Sequence, residues 1–500
     1  MLKYVMGGMA LWLAVSALAC NAQTLPVVSP ASGSDPILAS RPPATANALV
    51  FTYTRTVTAQ GKPVTSETGT VTLGADFTAI EQGTDHVLDD FALCRVLSWK
   101  TGESALDNQS CFFMPAFRLS ELHNRQAMNR ILAAAMDKKT APASFAPYWA
   151  EQELSIQDDA SDPLKPQTGP AETDYSLNGH IVVRISATGA AFTADEHREV
   201  ARYLARRTDL HPQILRAILA SGQLPDTVVI ERYEADQPQT ETLHFSDVSR
   251  PMRAYPLPPH LTAAMAADAR GDSPQARGLR QVLAALDGTA QPPRPDFDTL
   301  MKQLDAAINA KQAMASTMVF QELVSQYGGS LMSDTARMGR LKAILPGLQT
   351  MFAEPESASF MAASKLAGDG KPTPQNEAAA RYLSRAKDMD GLPFGTYRYV
   401  TFANLVRASG DTSTWDKTIF TAMPSLSDCY WTHIAAYPWA SNIYKDLGDL
   451  EYEDYAMDKA WQAWDLARAV DPDWRTGILQ SVVKYEDRLR TALPDIFRRA

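Results

Sequence analysis

The sequence predicts an α+β region, built on a curved antiparallel sheet with embedded helices, followed by an all-α region of helical-repeat character. Two patterns predict this order. Up to about position 250, apolar and polar residues alternate over short runs, as strands with one buried face require. After Phe297 the apolar period becomes 3.6 residues, which is typical of amphipathic helices. A proline-rich segment separates the two patterns.

Strand signals begin just after the first 46 residues. Phe51, Tyr53 and Val57 alternate with threonines, so one face of this strand is apolar and the other carries hydroxyl groups. The sequence Ala-Gln-Gly-Lys at 59–62 predicts a turn into a second threonine-rich strand. Further strands are predicted at 77–81, 86–91, 94–99, 111–114, 181–186, 228–234 and 240–245. Strands at this spacing favour a curved antiparallel sheet or partial barrel.

Three helices are predicted within this first region. Apolar residues at helical spacing predict one helix over 120–136. Thr193 and Glu196 form a capping-box pattern that opens a second helix through Arg207, and the charged run 195–199 predicts a solvated face for it. Pro212 begins a third helix, which Gly222 ends.

Composition changes divide the chain into five segments. Pro, Ser, Ala and Thr dominate a stretch near the N-terminus that has too little apolar surface to fold. Clustered prolines mark a semi-rigid connector between the two folded regions. The predicted segments are a signal peptide at 1–22, a disordered tether at 23–46, an α+β domain at 47–250, a proline-rich linker with one short helix at 251–296, and a helical-repeat-like domain at 297–500.

The first 22 residues resemble a bacterial secretory signal, with Lys3 preceding an apolar run that ends in small residues. The run is too short to span a bilayer. Residues 17–20, Ala-Leu-Ala-Cys, resemble a lipobox, which implies diacylglycerol on Cys20 and anchoring to the outer membrane. The alternative is ordinary cleavage after Ala19 or Ala22, which leaves the protein free in the periplasm or secreted. Only this lipid anchor would attach the protein to a membrane.

The net charge and the positions of the cysteines limit the kinds of partner, covalent link and metal site that we expect. A net charge of −10 would repel a phosphate backbone, so we expect no nucleic-acid partner.

Cys94 and Cys111 flank a polar stretch, and antiparallel pairing of their neighbours would place the two thiols opposite each other in a disulfide. Cys429 is then left over, and we expect it to be reduced and buried. No CxxC motif or Cys/His pair at metal-ligand spacing occurs, so no metal site is predicted.

One window of the helical region carries a repeat signature. Residues 368–372, Gly-Asp-Gly-Lys-Pro, precede Ala378, Tyr382 and Ala386 at four-residue spacing. The window resembles one Sel1-type repeat, a relative of the tetratricopeptide repeat, in which such glycines end one helix and such side chains lock the next onto it. A weaker echo consists of Leu447, Gly448 and Asp449 followed by Ala456, Ala460, Ala463 and Ala467, and it ends at Asp471 and Pro472.

The helical region also concentrates aromatic residues, and stacked helices often bind proteins through a face that carries them. The sequence therefore predicts a non-enzymatic binding or scaffold protein that contacts a protein partner in the cell envelope. Candidate binding residues are Trp431, Trp439, Trp461 and Trp464, although such residues also form cores between helices.

Two other functions stay open at this level. The curved sheet would suit a carrier of an apolar ligand or lipid, with a pocket lined by residues such as Phe51, Tyr53, Trp99 and Phe113. A hydrolase with an unrecognised site would need converging carboxylates. Asp85, Asp89 and Asp90 cluster near predicted strands, but the default interpretation is surface loop acids. No GxSxG, Walker A or GxGxxG pattern occurs, so no catalytic residue and no cofactor is predicted.

Overall fold

The structure is a computed structural model, and its described residues fall into two units. They are residues 45–103, 105–135, 163–208, 210–234, 237–257, 262–263, 269–290, 294–331, 334–355, 357–358, 426–470 and 479–497. The sheet unit comprises those within Ser40–Ala264 and Tyr485–Ala500, and the helical unit those within Met265–Lys484. The division falls inside the predicted linker 251–296. The last residues of the predicted helical domain belong to the sheet unit.

Sixteen strands lie in the described part of the sheet unit. They are β1 (Thr45–Asn47), β2 (Leu49–Ala59), β3 (Lys62–Gly74), β4 (Phe77–Gln82), β5 (Asp85–Asp90), β6 (Arg95–Lys100), β7 (Ala105–Ser110), β8 (Lys165–Thr168), β9 (Glu172–Leu177), β10 (His180–Ser186), β11 (Gly189–Ala191), β12 (Gln223–Pro225), β13 (Thr227–Glu234), β14 (Gln237–Ser249), β15 (Met252–Ala254) and β16 (Thr262–Ala263).

Twelve of these strands form one sheet in the order β16-β7-β6-β5-β4-β3-β2-β14-β13-β10-β9-β8. Neighbouring strands are antiparallel, except that β16 pairs in parallel with β7. The remaining strands form two short pairs, β1 with β15 and β11 with β12. The predicted antiparallel sheet in the N-terminal half is therefore confirmed.

Helices of the described chain are α1 (Phe113–Ala135), α2 (His197–Arg207), α3 (Pro212–Ser221), α4 (Pro274–Leu286), α5 (Phe297–Asn309), α6 (Ala313–Leu331), α7 (Thr335–Ala353), α8 (Leu426–Ala436), α9 (Ser441–Glu453), α10 (Met457–Val470), α11 (Gln480–Ala492) and α12 (Pro494–Phe497). The predicted succession of an α+β region and a helical region is confirmed. Among the described residues, no helix is both long enough and apolar enough to cross a membrane.

The core of the sheet unit lies between the large sheet and helices α2 and α3. Alternation along β2 places Leu49, Phe51 and Tyr53 on one face, where all three are buried. The ring of Phe51 meets those of Tyr203 and Phe245 edge-on, with centroids 5.3 and 5.7 Å apart. Burying a large apolar side chain contributes about 1.5–3 kcal/mol, so these contacts hold α2 against the sheet.

One predicted strand is wrong. Residues 111–114 form a turn and the start of α1, and the strand β7 occupies 105–110, which the sequence analysis assigned to a polar turn. The actual turn follows β6 at Gly102, where φ is +87°. Polar residues are accommodated in β7 because the side chain of Asn108 has a hydrogen-bond partner. The Arg95 Nε–H donates to the Asn108 side-chain oxygen at 2.7 Å. Helix α1 also begins seven residues before the predicted start at 120.

Helix α2 begins later than predicted because its capping box closes a separate turn. The Thr193 backbone N–H donates to the Glu196 carboxylate at 2.7 Å, and the Glu196 N–H donates to the Thr193 hydroxyl at 3.3 Å. The helix itself starts at His197. The boundaries of α3 agree with the sequence: Pro212 is its first residue and Gly222 follows it with φ +67°.

The helical unit packs through close approaches at two glycines. Gly278 in α4 lies against Trp431 of α8, and an added Cβ would come within 2.6 Å of that ring. Gly448 in α9 meets Trp464 of α10 in the same way, at 2.3 Å. Helices α5 to α7 share a separate core that includes Leu300, Leu323 and Leu348.

Of the two predicted repeat windows, only the second falls largely within the described residues. The Sel1-like window at 368–391 lies outside the described residues. In the second window Gly448 does not end a helix, because it lies within α9. Ala460, Ala463 and Ala467 are buried in α10, so small residues do line the contact between two successive helices. The repeat character of the region stays a prediction.

Candidate functional site

The most distinctive charged site of the described chain is a pocket of about 40 Å³ in the sheet unit. The start of α1, the end of α2, strands β5 and β6, and α12 form its walls. Three arginines, Arg118, Arg206 and Arg207, line it together with a single carboxylate, Asp89. We call it the arginine pocket.

Asp89 occupies the penultimate position of β5 and is only 1% exposed. Arg207 reaches one carboxylate oxygen with both Nε and Nη2, at 3.0 and 2.7 Å, and Arg206 reaches the other oxygen at 3.4 Å. Ionised partners make such hydrogen bonds roughly twice as strong as neutral ones. The end of α2 is therefore tied to the sheet through one buried carboxylate.

The other predicted acids do not converge with Asp89. Asp90 is the next residue of the strand, so its side chain lies on the opposite face. There it accepts hydrogen bonds from the Leu93 backbone N–H and the Tyr255 hydroxyl, at 2.8 and 2.7 Å. Asp85 is exposed and lies 3.8 Å from Lys100. Asp89 and Asp90 are thus buried strand residues and not surface loop acids, and the three do not form a paired-carboxylate site.

Arg118 enters the pocket from α1. Its guanidinium donates to the backbone carbonyl oxygens of Ala205 and Arg206, at 2.6 and 3.2 Å. Carbonyl groups in the last turn of a helix lack intrahelical partners and carry partial negative charge. Arg118 therefore caps α2 and fixes the position of Arg206 and Arg207.

Further arginines line the same side of α2. Arg198, Arg202 and Arg206 recur every four residues, so they lie on one side of the helix. The guanidinium of Arg202 lies 4.4 Å from the centre of the Phe91 ring, and that of Arg206 lies 5.7 Å from it. Arg202 is buried. In the run 195–199 that was predicted to be solvated, Asp195 and His197 are exposed, whereas Glu199 is buried.

The pocket carries an excess of positive charge. Arg206 and Arg207 bring two guanidinium groups to the one carboxylate of Asp89, which leaves a formal excess of one positive charge among these three residues. Burial lowers the pKa of Arg206, and the nearby charge of Asp89 opposes this shift. Arginine nevertheless stays protonated in proteins, so the excess persists at neutral pH. Planar guanidinium groups match carboxylate and phosphate oxygens, so the pocket can bind a small anion.

The C-terminal segment completes the wall. Ile496 is buried and lines the pocket, and the neighbouring Phe497 ring stacks on Phe112 with centroids 5.1 Å apart. The guanidinium of Arg490 lies over the other ring of this pair, 4.7 Å from the centre of Phe112. The end of the chain is therefore part of the site.

The predicted disulfide between Cys94 and Cys111 is confirmed, with Cα atoms 4.9 Å apart. The backbone N–H of Cys111 also donates to the carbonyl oxygen of Cys94 at 3.0 Å. The bond therefore joins the chain just before β6 to the chain just after β7, two residues ahead of Phe113 in the pocket wall. Cys20 lies outside the described residues.

The four candidate tryptophans lie in the core of the helical unit. Trp431, Trp439, Trp461 and Trp464 are all buried. Trp461 and Trp464 contact each other edge-on, with ring centroids 4.9 Å apart. Their side chains stabilise helix packing, and a binding role for them stays a prediction.

The residues predicted to line a carrier cavity do not share one. Phe51 and Tyr53 lie in the core beneath α2, Trp99 stacks on His86, and Phe113 lines the arginine pocket. A second cavity of about 160 Å³ lies between α3 and strands β9 and β10. Both cavities are smaller than the roughly 300–1,000 Å³ that is usual for ligand pockets.

No motif in the sequence indicated Arg118, Arg206 or Arg207 as site residues. The available signal was the four-residue spacing of arginines along α2, which indicates a basic helix face without indicating what it packs against. The scan against family models finds no match for the chain, and the search of curated proteins finds none either.

Proposed function

We propose that the protein is a non-enzymatic binding protein that takes a carboxylate or phosphate group in the arginine pocket. The observation that carries this proposal is that two guanidinium groups, those of Arg206 and Arg207, converge on the single buried carboxylate of Asp89. An ion pair that served only to hold α2 on the sheet would need one arginine for Asp89. Desolvating further cations is costly unless an anion compensates them.

The volume of the pocket limits what it accepts. A group the size of a water molecule needs about 10–15 Å³ of cavity volume. A cavity of about 40 Å³ therefore holds roughly three such groups. That is the size of a carboxylate or phosphate group, and not of a whole metabolite. The remainder of a larger ligand would lie outside the pocket.

Calorimetric titration with inorganic phosphate and with acetate tests this proposal. Arg207→Gln should weaken binding at least about tenfold, because a charge-assisted contact is worth about 1.5–3 kcal/mol. The matched control is Arg184→Gln, since Arg184 pairs with Asp174 and Glu231 on other strands of the same sheet. If neither anion binds the unmodified protein at about 10 mM, the proposal is wrong.

A second role is proposed for the helical unit, namely contact with a protein partner. Tyr455 lies in the turn between α9 and α10, where it is 49% exposed and has a φ of +62°. A non-glycine residue in this conformation costs about 1–2 kcal/mol, and tyrosine is common among residues that dominate protein interfaces. The exposed part of this aromatic side chain supports a binding role.

Tyr455→Gly tests this role, because it should stabilise the turn while it removes the aromatic contact. Crosslinking in intact envelopes should then recover less of a specific partner than the unmodified protein recovers. Lys311→Gly is the matched control, since Lys311 has a φ of +57° in the turn between α5 and α6. Equal recovery by the Tyr455 variant and the control would contradict the proposal.

Both roles are proposed for the bacterial envelope, either in the periplasm, at the outer membrane through a lipid on Cys20, or outside the cell. The signal-like N-terminus supports this location. The Cys94–Cys111 disulfide supports it too, because such bonds persist in oxidising compartments. Intact-mass analysis of envelope-extracted protein should find a start at Cys20, acylated or unmodified, or at Gln23. A mature protein that retains Met1 would contradict export.

A further inference from the structure

Two exposed apolar side chains lie beside the arginine pocket. Met114 and Phe117 are 40% and 41% exposed, although most large apolar residues of the described chain are buried. They are three residues apart on α1, so they lie on the same side of the helix. Met114 itself lines the pocket, and Arg118, which also lines it, directly follows Phe117.

The arrangement joins a cationic pocket to an apolar surface within two helical turns. We infer that the anion is the terminal group of a single-chain amphiphile, whose first methylene groups cover Met114 and Phe117. This inference rests on the proposed function. It assigns to the anion a ligand class, an alkyl chain that ends in a carboxylate or an unsubstituted phosphate.

The depth and size of the pocket favour this class over a phospholipid in a bilayer. The side chain of Arg206 is only 6% exposed, so an anion must enter the pocket to reach it. A phosphodiester carries substituents on two sides, and a pocket for roughly three water-sized groups has no room for the second. A carboxylate or phosphate at the end of a chain needs space for only one substituent, on the side of Met114 and Phe117.

The affinity should increase with chain length. Each methylene group removed from water contributes about 0.8 kcal/mol, which is about fourfold in affinity. The apolar pair can cover only the first few methylene groups, so decanoate should bind about 30 to 100 times more tightly than acetate. Titrations are made below the micelle concentration, with the full-length mature protein.

The decisive variant is Phe117→Ser, because Phe117 is 41% exposed and does not line the pocket. The substitution should leave the unfolding midpoint unchanged. Affinity for decanoate should decrease at least about fourfold while affinity for acetate stays constant. The matched control is Val64→Ser combined with Met252→Ser, since these side chains are also exposed and do not line the pocket. That control should bind decanoate as tightly as the unmodified protein.

The outcomes separate this inference from the proposed function. If acetate binds and decanoate binds no more tightly, the amphiphile inference is wrong and the anion site stands. If the Phe117→Ser variant loses acetate and decanoate affinity equally, the inference is also wrong. If vesicles of anionic phospholipid bind but decanoate does not, the ligand is a bilayer surface and the inference is overturned. If no anion binds, the proposed function fails.

Discussion

Arg207 donates two hydrogen bonds to one carboxylate oxygen of Asp89, although the two residues are 118 positions apart in the sequence. The pair connects the last residue of α2 to β5. Arg206 donates to the second oxygen, so one buried carboxylate accepts hydrogen bonds from two guanidinium groups. The charge balance at Asp89 therefore controls both the stability of this region and its attraction for anions.

Asp89→Asn should strengthen anion binding and weaken the fold. The amide keeps the shape of the side chain, but the formal excess among Arg206, Arg207 and residue 89 increases from one positive charge to two. We expect phosphate to bind about tenfold more tightly, since one added unit of charge at close range exceeds 1.4 kcal/mol even at intermediate dielectric. The free energy of unfolding should decrease by about 1–3 kcal/mol, because the arginines lose an ionised acceptor. Calorimetry and urea unfolding measure the two effects, with exposed Asp85→Asn as the control. Unchanged phosphate affinity would contradict the charge argument.

Reduction of the Cys94–Cys111 disulfide should destabilise the sheet unit. The bond closes a loop with a separation of 17 residues, for which the loop-entropy model gives about 3 kcal/mol. Cys94→Ala combined with Cys111→Ala should lower the free energy of unfolding by a similar amount, and Cys429→Ala should have a smaller effect. Alkylation of the unreduced, denatured protein should modify Cys429 and leave Cys94 and Cys111 unlabelled. Labelling of Cys94 would show that the bond does not form.

Ile496→Ala should destabilise the sheet unit, although the residue is close to the C-terminus. Ile496 is buried beside the arginine pocket, and removing such a side chain typically costs about 2–5 kcal/mol. Ile496→Val is the matched control, with an expected cost of about 0.5–1.5 kcal/mol. Amide hydrogen exchange of β5 and β6 reports on the sheet unit directly. Equal protection in the alanine variant and the unmodified protein would mean that the C-terminal segment does not pack there.

Glu322 should make stability depend on pH. It is 4% exposed in α6, and burial raises its pKa to about 7. Between its ordinary value of 4.5 and about 7, the folded chain holds a proton that the unfolded chain has released. Its contribution is therefore greatest below pH 4.5 and is lost as pH rises through 7. Above pH 7, Glu322→Gln should be more stable than the unmodified protein by up to about 3 kcal/mol.

The buried side chain of His433 changes stability with pH in the direction opposite to Glu322, so the two effects must be measured separately. Burial lowers the pKa of His433 to about 3, so its contribution is lost as pH falls below 6.5. Both proteins contain His433, so the difference between Glu322→Gln and the unmodified protein isolates Glu322. The control is Glu354→Gln, since Glu354 is exposed at the end of α7. A difference that does not change between pH 5 and 8 would contradict the raised pKa.

Local patterns in the sequence were sufficient for many of the elements and for the disulfide. The alternation at Phe51 and Tyr53 predicts β2 because successive strand residues face opposite sides. Pro212 and Gly222 set the bounds of α3 because each restricts or permits a backbone conformation by itself. Cys94 and Cys111 were predictable because they flank one hairpin. The error at 111–114 arose because an apolar run is equally compatible with a strand and a helix start.

The arginine pocket depended on the tertiary structure alone. Spacing along α2 indicates that Arg198, Arg202 and Arg206 share one side, but burial and pairing depend on what that side meets. The sheet supplies Asp89, α1 supplies Arg118, and the last residues of the chain supply Ile496. Electrostatic interactions depend on the distance between charges in space, and the order of residues along the chain does not reveal that distance. The sequence therefore determined many of the elements that form, and only their packing decided which charges meet.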